Sequence, residues 1–142
     1  MSIRNAFFIT LIAGIPASCK TIPEPGRQGY HIAGQAEEGM MSWYSVKTNG
    51  GTETASGERF SNSAQTAAHK TLPMGTMVKV TNLANGRSEV VRINDRGPFT
   101  PGRVVDVSIG VAGKLDFVGR GVAPCRVEVV EPIGQGAVFE AR

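Results

Sequence analysis

An all-β barrel or sandwich is the fold class that the sequence predicts, and three observations predict it. From Gly39 onward, short apolar alternations are separated by Gly, Asn and Pro at close intervals. An Asn85-Gly86 pair sits between two alternating runs, and helical periodicity is scarce. The chain has 142 residues, room for one domain, with 41% apolar and 19% charged residues and a net charge of +3. That balance belongs to a globular chain rather than a disordered one, and the small surplus without a clustered basic face argues against nucleic acid as a partner.

Met1 to Cys19 carries Arg4, an apolar run from Ala6 to Ile15, then Pro16-Ala17-Ser18-Cys19. This is the layout of a secretory signal, with an apolar run too short for a bilayer about 30 Å thick. Ala17 and Ser18 before Cys19 resemble a bacterial lipoprotein processing site, with acylated Cys19 anchoring the chain to membrane, although Pro16 departs from the usual aliphatic residue. An ordinary cleaved signal with Cys19 as bystander is the alternative. By the same resemblance, Lys20 points to the periplasmic face of the outer membrane. A disulfide between Cys19 and Cys125 is open if Cys19 is not lipidated, but Cys125 lies in a strand pattern that suits an inert buried thiol.

Residues 20–38 hold Pro23, Pro25, Gly26, Gly29 and Gly34 without periodicity and read as a flexible tether. The barrel is expected over 39–131, followed by a tail over 132–142. Strands are expected at Met40–Tyr44, Thr76–Asn82, Arg87–Ile93, Arg103–Val107 and Cys125–Glu131. A two-residue turn at Asn85-Gly86 would pair Val80 with Val91 and Val78 with Ile93 on the core face, and would place Lys79 opposite Arg92. Ser108 is a candidate cap for a short helix through Leu115. Gly75-x-x-Val78-x-Val80 and Pro124-x-x-Val127-x-Val129 form a faint internal echo.

Four stretches break the strand rhythm with polar residues that a core does not need: Ser42-Trp43-Tyr44, Thr54 to Glu58, Thr66 to Pro73, and Asn94 to Phe99. Taken singly, each has an ordinary explanation as turn, solvated charge or packed residue. Taken together, Gly39 to Tyr44, Thr54-Ala55-Ser56-Gly57-Glu58-Arg59-Phe60, Thr66 to Gly75, Val80 to Arg87, Val91-Arg92-Ile93-Asn94-Asp95-Arg96-Gly97-Pro98-Phe99 and Gly102 to Ser108 resemble the rare lipoprotein A family. Ser45 departs from the glycine usual after the Trp-Tyr pair.

The resemblance implies a six-stranded double-psi β-barrel with one or two short helices, related to that of expansins. It implies a lytic transglycosylase, endo- or exo-acting, that cuts peptide-free peptidoglycan strands between N-acetylmuramic acid and N-acetylglucosamine and leaves 1,6-anhydro ends. The family's acidic and His positions fall on Glu58, His69 and Asp95, and an expansin-like second Asp on Asp106. Asp95 is the expected proton donor, with Glu58 and Asp106 raising its pKa by proximity and His69 orienting sugar or sharing the proton. Trp43 and Tyr44 are expected to present flat faces to sugar rings, with Thr54, Lys70, Asn94, Arg96 and Arg103 completing the binding set. A noncatalytic expansin-like glycan-binding module is the alternative. No metal or organic cofactor is implied, and the sequence names no protein partner.

Overall fold

A computed structural model of the chain describes residues 29–50 and 52–133. The expected signal segment with Cys19, the tether through residue 28 and the tail from residue 134 lie outside them. Six strands and one helix follow in order: β1 (Tyr30–Tyr44), β2 (Thr66–His69), β3 (Met77–Asn82), β4 (Ser88–Asp95), β5 (Arg103–Ser108), α1 (Ile109–Lys114) and β6 (Val122–Pro132). The strands close into a barrel in the order β1-β5-β2-β4-β3-β6. Two pairs, β1/β5 and β2/β4, are parallel, and the other four are antiparallel.

This topology maps onto itself when β1, β2 and β3 are exchanged for β4, β5 and β6, which is the symmetry of two similar halves. The faint echo in the sequence falls on that symmetry. Val78 pairs with Val129 and Val80 with Val127, so the two copies face each other across the β3/β6 ladder.

Val78, Val80, Val91, Ile93, Val105 and Val107 are fully buried with Met41, Leu115 and Phe117 in one core, as period-two alternation requires. The core face of the β3/β4 hairpin is therefore the expected one, but its register is not. Val78 pairs with Val91 and Lys79 with Val90, two residues away from the expected pairing. The connection is a four-residue loop, Leu83–Gly86: the Gly86 N–H donates to Asn82 O (2.7 Å) and the Asn82 N–H to Arg87 O (2.8 Å). Gly86 alone in this loop has positive φ, +77°, whereas a two-residue turn of the expected type needs it at both central positions. A slip of two preserves the face and removes the Lys79–Arg92 opposition; Lys79 instead lies opposite Glu128 of β6.

The expected tether also ends early. Residues 30–38 form the first part of β1, laddered to β6 from Tyr30↔Pro132 to Glu38↔Arg126 with an irregularity between Ile32 and Ala36. These residues are mostly exposed, so backbone pairing rather than burial makes them a strand, and hydrophobic periodicity could not reveal it. β2 was masked by its length of four residues. Helix α1 has the expected Ser108 cap, whose Oγ accepts from the Val111 N–H (3.3 Å), and it ends at Leu115. Among the described residues no helix is long and apolar enough to cross a membrane.

The two glycines of α1 separate helix propensity from packing. A Cβ at Gly113 would meet nothing within 4 Å, whereas one at Gly110 would lie 2.6 Å from the backbone oxygen of Asn62. Gly113→Ala is expected to stabilise the domain by about 0.5–1 kcal/mol, the usual helical gain. Gly110→Ala is expected to destabilise it despite the same propensity, because a backbone atom cannot swing away. Melting both variants checks this, and equal shifts would contradict the close approach.

Candidate active site

The acids gather on the outer face of the barrel. Ala67 is in the core, so Ala68 projects from the other face of β2, and it pairs on one side with Asp106 of β5 and on the other with Asp95 of β4. The β2/β4 register runs Ala67↔Ile93 and then Ala68↔Asp95, a one-residue bulge. Without that bulge Asn94 would oppose Ala68, and Asp95 would turn to the face that holds Ile93. Two ladder spacings separate the aspartates, about 10 Å between Cα atoms, with the small Ala68 side chain between them. On β1, Ser42 and Tyr44 share this outer face, because Met41 between the barrel walls belongs to the core.

Asp95 Oδ1 accepts from the Ala55 and Arg96 backbone N–H groups, each at 2.9 Å. The Ala55 donor comes from the loop before β2, which is tightened by the Thr54 N–H to Glu58 O bond (2.7 Å) and docked by Ser56 N–H to Asn94 O (3.1 Å). Thr54 itself is buried and its hydroxyl meets that of Ser56 (2.9 Å), so it shapes this loop.

Asp106 differs. Burial pushes its carboxyl above the usual range, and the nearby Asp95 charge adds to that, against the Ser42 hydroxyl donating to Oδ1 (3.1 Å) and the Arg103 charge. Burial likewise raises the Tyr44 phenol, which shares a hydrogen with Thr66 Oγ1 (2.9 Å), and Asp106, Asp95 and Glu58 all contribute to the rise. Tyr44 thus feels the charge of all three acids. It is buried edge-to-face against Phe60, with ring centroids 5.5 Å apart, as a floor and not as an open stacking plate.

Glu58 is tied to a cation of β4. Arg92 grips both its oxygens, with Nη2 to Oε2 at 2.9 Å, and holds its carboxyl at about 2, with a further bond from Asn94 Nδ2 (3.4 Å). It is an anion at any pH near neutrality. Both partners are about 40% exposed, so solvent screening keeps the pair near about 0.2–1 kcal/mol.

His69 is also displaced from its expected role. It follows Ala68 and leaves β2 on the opposite face, 5% exposed, beside a cleft of about 360 Å³ lined with Glu37, Leu72, Val127 and Val129. Trp43 packs against the core and donates Nε1–H to Val118 O (3.2 Å), opposite to Tyr44 in facing, as adjacent strand residues must be. The Arg96 guanidinium points away from the acids, to Leu72 O (2.7 Å) and His69 O (3.3 Å). Lys70 is exposed, Arg103 is half-buried near Asp106, and Asn94 is buried with Oδ1 unpartnered. Sequence reasoning passed over Phe99, four residues after Asp95 and 81% exposed; its Phe after Gly-Pro was read only as the end of a motif. Cys125 is fully buried, and burial pushes its thiol to about 12, as expected of an inert cysteine.

A closed double-psi β-barrel that displays two carboxylates on its outer face, on β4 and β5 at either side of β2, is the class of protein that the fold and the site define. The chain belongs to the lytic transglycolase family, whose model matches residues 36–127. Among curated relatives it is 58% identical over 94 residues to a Nostoc protein named probable endolytic peptidoglycan transglycosylase RlpA, covering 66% of this chain and 25% of the relative. It is 48% identical over 97 residues to the Campylobacter jejuni endolytic peptidoglycan transglycosylase RlpA (68% and 35%), and 47% identical over 106 residues to that of Neisseria meningitidis (75% and 44%). The chain thus spans less than half the length of these relatives. Among solved structures it is similar to the Streptomyces papain inhibitor, with a TM-score of 0.56 and 26% identity over 69% of this chain and 96% of that one.

The raised Asp106 carboxyl has a thermodynamic signature. A folded-state value above the unfolded 3.8 favours folding at low pH, and that contribution is lost as pH rises through the raised value. Asp106→Asn removes the buried charge and keeps an oxygen for Ser42. It is therefore expected to melt higher than wild type at neutral pH, with the advantage vanishing below the unfolded value. A variant that melts lower at both pH values would mean that the Asp106 charge stabilises the fold.

Proposed function

We propose that this domain is a lytic transglycosylase of peptidoglycan glycan strands, and the single observation that carries the reading is the pair Asp95 and Asp106 flanking Ala68 on the outer face. Family membership and the names of the relatives support it. The glycosidic oxygen is a poor leaving group and needs a proton, and Asp106 is the carboxyl whose surroundings favour holding one. Asp95, its Oδ1 fixed by two backbone N–H groups, is assigned the part of proton acceptor.

In the reaction, the C6 hydroxyl of muramic acid attacks its own C1 and the C1–O4 bond to the leaving sugar breaks. Asp106 protonates the departing O4, and Asp95 accepts the proton released by the C6 hydroxyl. The product is a 1,6-anhydro end and no water is consumed. This assigns the donor role to Asp106 in place of the Asp95 expected from sequence. Phe99 and Arg103 supply an apolar ring and a cation at the rim for the sugar and its lactyl carboxylate. A face on the outside of a barrel wall can accept the interior of a long strand, which suits the endolytic mode in the relatives' names.

Product analysis by mass spectrometry after incubation with peptide-free glycan strands tests this. Wild type is expected to release 1,6-anhydromuramic ends. Asp106→Asn and Asp95→Asn are each expected to lower the rate by about a hundred- to ten-thousandfold with strand binding retained. Strands that co-sediment but stay intact with wild type would return the noncatalytic reading.

The exported, outer-membrane lipoprotein reading of residues 1–19 is part of the same proposal and is supported by the layout around Cys19. Mass spectrometry of the membrane-extracted protein is expected to find an acylated N-terminal Cys19. An unmodified thiol would remove the anchor.

A further inference from the structure

The imidazole of His69 faces away from the two aspartates, yet a continuous set of hydrogen bonds joins it to one of them. Its Nδ1 accepts from the Thr71 N–H (3.2 Å) and the Leu72 N–H (3.1 Å), both in the turn that leaves β2. A nitrogen that accepts two donors carries no proton, so the ring hydrogen is on Nε2 and is donated to Glu37 Oε2 of β1 (2.9 Å). The turn held in this way presents the Leu72 carbonyl to Arg96 Nη1 at 2.7 Å, and the His69 carbonyl lies 3.3 Å from the same nitrogen. Arg96 is the residue whose backbone N–H donates to Asp95 Oδ1 (2.9 Å).

We propose that His69 is a positioning residue: its imidazole braces the 70–72 turn, the turn anchors the Arg96 guanidinium, and Arg96 holds the Asp95 carboxylate in place. This rests on the reading of Asp95 and Asp106 as the reacting acids. His69 touches neither sugar nor proton in transit. The ring is spent at both ends, with Nδ1 filled by two amides and Nε2 tied to β1. It lies on the face of β2 opposite Ala68, 5% exposed at the edge of the cleft that Glu37 and Leu72 also line. A displacement of Asp95 by about 1 Å is enough to cost about a hundredfold in rate, so a brace at this distance can be as necessary as a reacting group.

The two roles separate by substitution. Asn places its side-chain oxygen near the position of Nδ1 and can accept from the Thr71 and Leu72 amides, but it cannot exchange a proton. Leu fills the space and accepts nothing. The full chain would be compared as wild type, His69→Asn, His69→Leu and Arg96→Ala, with two readouts: release of anhydro ends from peptide-free strands, and hydrogen exchange of the Thr71 and Leu72 amides.

The brace predicts that His69→Asn stays within about tenfold of wild-type turnover with both amides protected. His69→Leu and Arg96→Ala lose about a hundredfold, and in His69→Leu both amides exchange freely. His69→Asn as inactive as His69→Leu, with the two amides still protected, would overturn the brace and make the imidazole a chemical participant. If wild type releases no anhydro ends, the lytic reading fails on its own, and the amides still decide the brace. Protection that survives in His69→Leu would overturn it. Should His69→Leu fail to fold, Arg96→Ala breaks the next link without touching the ring, and full turnover in that variant would overturn the proposal.

Discussion

Everything at the site depends on the pairing of β2 with both β4 and β5, and on the single extra residue at that junction. Four residues long and fully buried, β2 has no freedom to slide, because β5 fixes it antiparallel and β4 fixes it parallel. Asp106 reaches the outer face by ordinary alternation between Val105 and Val107. Asp95 reaches it only because the bulge advances β4 by one residue against Ala68. Bulges commonly re-aim a side chain beside a functional site. Here the bulge also releases the Asn94 carbonyl from the ladder, and the loop amide of Ser56 takes it up, which brings the Ala55 N–H onto Asp95.

Two chemically identical side chains thus receive different surroundings on neighbouring strands of one barrel. Asp106 is half-buried, with one hydroxyl donor and a neighbouring acid, and its neutral form is favoured. Asp95 is also half-buried, but it has two backbone donors aimed at one oxygen. Divergence of this kind is what lets a pair of acids divide donor and acceptor work between them.

Much of the frame was legible because it obeys local rules. Alternation in residues 77–82 and 88–93 reports burial directly, and Ser108 announced its helix by the preference of a hydroxyl for a free N–H. What was not legible is non-local. Asn85-Gly86 suggested a two-residue turn, but the Asn82 side chain also bonds to the Ala84 N–H (2.9 Å) and to Leu115 O (2.9 Å), and these contacts favour the longer loop. Residues 30–38 are a strand only by virtue of β6. The motif resemblance singled out titratable residues without their surroundings, since neither the Arg92 grip on Glu58 nor the two amides on His69 can be seen from spacing.

Glu58 and His69 occupy equivalent places in the logic of the site, although neither faces a reacting bond in the way that a family motif suggests. Glu58 is locked to Arg92 of β4 and its own carbonyl takes the Thr54 N–H, so the ion pair fastens the loop that delivers the Ala55 donor. His69 fastens the opposite turn, which restrains Arg96 and with it the second donor. Asp95 Oδ1 is therefore held from two directions by two clamps that share no residue. Rigid support of this kind matters most for the proposed base, because a carboxylate on a half-exposed strand end would otherwise sample orientations and be drawn to water. Asp106, within a strand and partly buried, needs no such clamps. The concentration of fixed polar residues around Asp95 rather than around Asp106 follows from where each sits on its strand, one at the last position and one in the middle.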